Sequence, residues 1–215
     1  TPVDVTKGRA KVVTDAIRIL KAETKDIPIV GNLTGPVSTA SSVMEPVIFY
    51  KELRKRNKEA HEYMEFITDQ LIAFGRAQIE AGADVIAISD PSGTGEILGP
   101  KYFEEFAVPY ITRQLDALHG EKMGTNVHIC GQMSPVYNEI NEVRSSALSF
   151  DSIVPMKEAR KHLPDRVLMG NVSTYALEFG DPARVRTLTK SCMRNGSDII
   201  APACGVGMKS PLANI

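Results

Sequence analysis

The chain has 215 residues, 43% hydrophobic and 24% charged, which is enough apolar content for one sizeable core and too much for a disordered chain. Its 25 basic and 26 acidic residues leave a net charge of -1, so no general basic field exists to hold nucleic acid or an anionic membrane. No apolar run approaches the roughly 20 residues of a membrane helix, Thr1-Pro2-Val3-Asp4 is not a signal peptide, and three cysteines make no disulfide framework, so a reducing, cytoplasmic setting is expected.

Residues 5–21 are predicted helical, with Val13, Ala16, Ile17 and Leu20 on one stripe. A first strand is predicted over 27–32. Residues 50–81 read as one long helix, charged in its first half, with Phe66, Ile67, Leu71 and Phe74 as an apolar stripe and Gly82 as its stop. Further strands are predicted at 85–89, 126–130, 147–151, 166–170 and 198–203. Each is short, apolar and closed by Gly, Pro, Asn or Asp, as buried parallel strands are. A helix over 181–195 places Cys192 on a stripe with Val185 and Leu188, which marks this cysteine as core.

Alternating helix and strand implies a parallel sheet with helical crossovers, either a doubly wound open sheet or a (β/α)8 barrel. Six strands, a helix at the start and a strand near the end fit a barrel without its first strands and last helix, since a barrel needs eight strands and about 250 residues. No linker or repeat marks a second domain, so residues 1–215 are taken as one partial barrel. Open sheet edges would then make this chain prone to association.

Both folds place ligands at the carboxyl ends of the strands. His128 and Cys130, two apart on a strand, point to one face and can reach one ion, and Cys204 follows a later strand on the same rim. One imidazole and two thiolates prefer zinc, and three protein ligands leave an open position, as in catalytic zinc sites. The alternative is a packed histidine beside two small buried thiols. His61, His119 and His162 lie in charged surroundings and are expected at the surface. Ser89-Asp90-Pro91-Ser92-Gly93-Thr94-Gly95 and Gly31-Asn32-Leu33-Thr34-Gly35-Pro36 are either anion-holding loops or plain turns. The basic run from Lys51 to Lys58 reads as a solvated helix face.

Ser89-Asp90-Pro91-Ser92, the stretch Ile97-Leu98-Gly99-Pro100-Lys101-Tyr102-Phe103-Glu104-Glu105-Phe106 and Pro109-Tyr110 resemble the uroporphyrinogen decarboxylase superfamily, as does Met169-Gly170-Asn171-Val172. His128-x-Cys130-Gly131 followed by Cys204-Gly205 resembles its zinc-dependent branch, the methylcobamide:coenzyme M methyltransferases. The resemblance implies a TIM barrel and a methyl transfer from a methyl-corrinoid protein to a thiol such as coenzyme M. It implies Zn2+ held by His128, Cys130 and Cys204, with Asp151 as an exchangeable fourth ligand. Asn32, Asp90 and Asn171 become candidates for orienting the thiol. No Asp-x-His-x-x-Gly corrinoid anchor occurs in the chain, so the corrinoid is expected from a partner protein. Uroporphyrinogen decarboxylation, demethylation of an amine or ether onto a corrinoid, and a non-catalytic binding role are the alternatives.

Overall fold

The computed structural model describes residues 2–120 and 124–215. Helix α1 (Gly8–Glu23) precedes strand β1 (Val30–Thr34), and three helices follow, α2 (Pro36–Val43), α3 (Pro46–Lys55) and α4 (Asn57–Glu80). Strand β2 (Val85–Ser89) leads to α5 (Gly95–Phe106) and α6 (Val108–Leu118), then β3 (Gly124–Ile129) to a 3-10 turn and α7 (Tyr137–Asn141). Strand β4 (Ala147–Phe150), α8 (Met156–His162), β5 (Leu168–Met169), α9 (Thr174–Phe179) and α10 (Pro182–Arg194) complete the order.

The five strands form one sheet, all parallel, in the order β1-β2-β3-β4-β5. Each step moves to the next neighbour through helices on the outer face, which is the winding of a barrel wall. Outward residues such as Leu33, Ile86, Ile88, Val127 and Leu148 are buried against Phe103, Phe106 and Ile111 of the helices. Inward residues are then left for chemistry. The predicted sixth strand exists as a segment bridged to its neighbour at Met169 with Ile199 and Val172 with Pro202, tied by Gly170 N to Ile199 O at 2.8 Å and Val172 N to Ala201 O at 3.0 Å.

Several expectations about elements are corrected. The long helix over 50–81 breaks at Arg56, whose φ of -132° and ψ of 61° are not helical. The break separates Phe49 and Leu53 of α3 from Ala60 and Met64 of α4, and all four reach the core. Strand β5 has two residues rather than the five expected: it begins at Leu168 instead of Arg166 and ends before Gly170, whose φ is +120°. In α1 the buried positions are Thr14 and Ile17, while Val13 and Leu20 face outward.

A repeated latch fixes where two strands begin. Gly82-Ala83-Asp84 precedes β2, and Gly196-Ser197-Asp198 precedes the sixth segment, both glycines having positive φ. The Asp84 carboxylate accepts from Ile29 N at 2.8 Å and pairs with Lys21, while Asp198 accepts from Leu168 N at 2.8 Å and pairs with Arg160. Each aspartate thereby receives an N–H of the neighbouring chain that the ladder leaves without a partner.

Candidate metal centre

The alternation along β3 decides what faces the interior. Val127 and Ile129 are buried outward, so Asn126, His128 and Cys130 turn inward. His128 Nε2 lies 3.2 Å from Cys130 Sγ, and Cys130 Sγ lies 3.6 Å from Cys204 Sγ. The ligand atoms of the three residues all fall within 4.8 Å of one another. Around a tetrahedral zinc with Zn–S near 2.3 Å and Zn–N near 2.0 Å, ligand-to-ligand edges come to about 3.5–3.8 Å. The observed spacing and the soft donor set fit that ion.

The electrostatics agree. Burial pushes His128 below its ordinary range, opposed by the Asp151 carboxylate and the Ser149 main chain, so the ring is neutral at pH 7 as a metal ligand must be. Burial, with the nearby Cys204 and Asp151, pushes the Cys130 thiol up to about 12. A thiol raised in this way stays protonated in water near neutral pH, and it is a bound cation that would displace its proton.

These residues line a cavity of about 480 Å³ at the carboxyl ends of the strands, together with Asn32, Ser89, Asn126, Ser149 and Met169. Of the three candidates for orienting a ligand, only Asn32 faces this space. Asp90 is fully buried beneath it, accepting from Val37 N at 3.1 Å and Ser38 N at 2.7 Å. It thus caps α2 across the chain, where Gly35 supplies no side chain. Burial raises its carboxyl above the ordinary range against the hydrogen bonds from Ser38, Val37 and Gly93. Asn171 is also turned away, its Nδ2 donating to Asp151 O and Val154 O at 2.8 Å each. Asp151 stands beside the triad but outside it: its Oδ1 accepts from Ile153 N at 3.1 Å, which caps the following turn. The loop at Ser89–Gly95 is likewise a turn, closed by Gly93 N on Asp90 O at 3.0 Å.

Cys192 lies outside the triad, partly buried on α10 against Val172, Leu177 and Val185 as expected. Lys51, Arg54, Lys55, Arg56 and Lys58 are exposed. The surface expectation holds for His119 and His162, while His61 is half-buried, its Nδ1 2.7 Å from Tyr110 Oη and its ring stacked on Phe106 at 4.5 Å. His162 stacks on Tyr137 at 4.7 Å. Sequence reasoning missed Asn126 as a cavity residue. The signal was available, since Asn126 lies two before His128 on the same face; its Oδ1 is buried with no hydrogen-bond partner among the described residues.

No helix among the described residues is long and apolar enough to cross a membrane. The chain is 29% identical over 211 residues to the methylcobamide:CoM methyltransferase MtbA of Methanosarcina acetivorans, covering 97% of this chain. It is 30% identical over 213 residues to MtaA of Methanosarcina barkeri, and 30% identical over 181 residues to a uroporphyrinogen decarboxylase of Myxococcus xanthus. The chain spans 62% of the length of each of the two methyltransferases and 51% of the decarboxylase. Among solved structures, a methyltransferase from Methanosarcina mazei superposes with a TM-score of 0.91 at 30% identity, over 98% of this chain and 63% of that one. A B12-independent methionine synthase from Shewanella sp. W3-18-1 shares the fold at a TM-score of 0.70 and 17% identity, over 97% of this chain and 62% of that one. The uroporphyrinogen decarboxylase family pattern matches residues 1–215, and the chain belongs to that family.

Proposed function

We propose that this chain carries the thiol-activating half of a corrinoid-dependent methyl transfer, from a methyl-corrinoid partner protein to a small thiol such as coenzyme M. The observation that carries the reading is the convergence of His128, Cys130 and Cys204 at metal-ligand spacing on the rim. Relatives named methylcobamide:CoM methyltransferases support it, and a converged imidazole and two thiols have no evident use in removing carboxyl groups from a porphyrinogen.

His128, Cys130 and Cys204 would hold a zinc ion, which when bound supplies the positive charge that keeps an acceptor thiol as its thiolate near neutral pH. The thiolate is the nucleophile, because a free thiol with a pKa near 8.5 is mostly protonated at that pH. The two cysteine ligands are themselves anionic, so electron density stays on the acceptor sulfur. In the transfer, the sulfur attacks the methyl carbon, a C–S bond forms, the Co–C bond breaks and its electron pair stays on cobalt. The thiol proton leaves through the cavity mouth. Asn32 faces the space the acceptor occupies. Asp151 would serve as the exchangeable ligand before the thiol arrives, by leaving its turn-capping bond to Ile153 N. The three free thiols suit a cytoplasmic setting.

Elemental analysis of the purified chain and of Cys204→Ser tests the reading. About one zinc per chain, lost in the variant, supports it, and apparent affinities of about 10 kcal/mol or more mean the ion survives purification without chelator. A metal-free wild-type chain after refolding with excess zinc refutes it. For Asp151→Ala, an unchanged coordination number in the thiol-free state by X-ray absorption removes the exchangeable-ligand role.

A further inference from the structure

Ser149 has no role in the reading above. It sits on β4 in register with His128 on β3, so the two side chains lie side by side on the inner face. Its Oγ is 3.0 Å from His128 Nδ1, and this is the only hydrogen bond of that hydroxyl among the described residues. Ser149 is 4% exposed. A hydroxyl at such a depth costs stability unless it is bonded, so its single partner is its explanation.

A neutral imidazole has one N–H; a serine hydroxyl can accept it or donate to the bare nitrogen, so the tautomer follows from the pairing at Nδ1 together with the Cys130 thiol, an S–H donor, at Nε2. Here Nδ1 faces the serine and Nε2 faces Cys130 Sγ at 3.2 Å. If Nδ1 carries the proton, Nε2 presents its lone pair to the space between the two sulfurs. In the other tautomer, Nε2–H points into that space and blocks a cation.

We infer that Ser149 is a positioning residue: it accepts the Nδ1–H of His128, fixes the tautomer and ring orientation, and so aims Nε2 at the metal position between Cys130 and Cys204. The inference rests on the triad being a metal centre, but the tautomer it requires exists in the metal-free protein as well. Partners of this kind are worth about 10–100-fold in metal affinity.

The test compares the whole chain with Ser149→Ala and with the pair Ser149→Thr and Ser149→Val, which differ only in a hydroxyl for a methyl. Both branched side chains suit a strand, and the position borders the open cavity. The first readout is the His128 tautomer in metal-free protein, from long-range 1H–15N correlation at a pH where the ring is neutral. Wild type and Ser149→Thr should show protonated Nδ1, and Ser149→Ala and Ser149→Val should gain the Nε2–H form. The second readout is zinc affinity by competition with a chromophoric chelator, with Ser149→Ala and Ser149→Val about 10–100-fold weaker than wild type and Ser149→Thr matching it. If Ser149→Ala does not fold, the threonine and valine pair carries the comparison. Unchanged tautomer and zinc affinity in the valine variant overturn the inference while leaving the metal centre intact. A wild type with protonated Nδ1 that binds no zinc refutes the metal centre and leaves the tautomer assignment standing.

Discussion

Replacing Asp90 tests whether the rim is held from below. Its two carboxylate oxygens accept from the first free N–H groups of α2, Val37 at 3.1 Å and Ser38 at 2.7 Å, 53 and 52 residues away in the chain. In Asp90→Ala both donors are left buried. Two bonds to a charged acceptor are worth about 1.5–3 kcal/mol each, offset by the burial cost of the carboxylate that vanishes with them, which leaves a net loss of about 3 kcal/mol. At a urea m-value of about 2–3 kcal/mol/M, the midpoint falls by roughly 1–1.5 M with m unchanged. Asp90→Asn keeps one acceptor oxygen and turns an amide NH2 on the other donor, so it should fall between wild type and alanine. Gly35→Ala should reproduce the defect by a different route, because its Cβ would lie 2.3 Å from Asp90 Cβ. An Asp90→Ala chain within about 0.5 kcal/mol of wild type, the scatter of an ordinary surface substitution, would refute the reasoning.

Gly131 follows Cys130 at φ +76°, and a Cβ there would stand 2.5 Å from Glu96 Oε1 and 2.9 Å from Thr94 Oγ1. Gly131→Ala should cost about 1–3 kcal/mol and lower bound zinc, since the strained residue adjoins a ligand; unchanged stability in urea would contradict this. Asp84 and Asp198 both have carboxyl groups held below the ordinary range, first by the main-chain N–H of Ile29 and Leu168 and then by Lys21 and Arg160. A depressed folded pKa gives stability that is present above the unfolded value, about 3.9, and lost as pH falls through the folded one. Asp84→Asn with Asp198→Asn should therefore flatten the acid limb of a stability-versus-pH curve below about pH 4, and an unaltered limb would count against the latches. Val30 on edge strand β1 is 55% exposed, so sedimentation should show association rising with concentration and reduced by Val30→Lys; a monomer at every concentration would dismiss it.

Those features separate what the sequence could state from what it could not. A short apolar run closed by Asp90-Pro91 made β2 legible to the residue, and the spacing of His128 and Cys130 made the metal pair legible because a strand's period of two is rigid. Polar residues at strand ends were a weaker guide. Asn32, Asp90, Asp151 and Asn171 all stand there, yet Asp90, Asp151 and Asn171 bond loops or helix starts, since unpaired backbone groups compete with ligands for the same side chains. The break at Arg56 was hidden because helical periodicity continues across it, and only the geometry of the core demands a change of direction.

The third ligand depends on parts far from the metal. Cys204 follows a segment tied to the sheet by the bridges of Met169 with Ile199 and Val172 with Pro202, so its approach to Cys130 depends on where that segment starts. Arg160 sets the start: it pairs with Asp198 and donates to Gly196 O at 2.7 Å, Arg166 O at 2.8 Å and Pro164 O at 3.0 Å. Removing it in Arg160→Ala strips neutral acceptors of bonds worth about 0.5–1.5 kcal/mol each and frees the latch, while β3 and its His128–Cys130 pair lie two strands away. Zinc affinity should then fall toward that of a two-ligand site, with X-ray absorption counting one sulfur where the intact chain has two. Arg160→Lys, which restores the charge without the fork that reaches several carbonyls, should recover little. Full zinc affinity in Arg160→Ala would mean that the loop around Cys204 finds its place without the sheet.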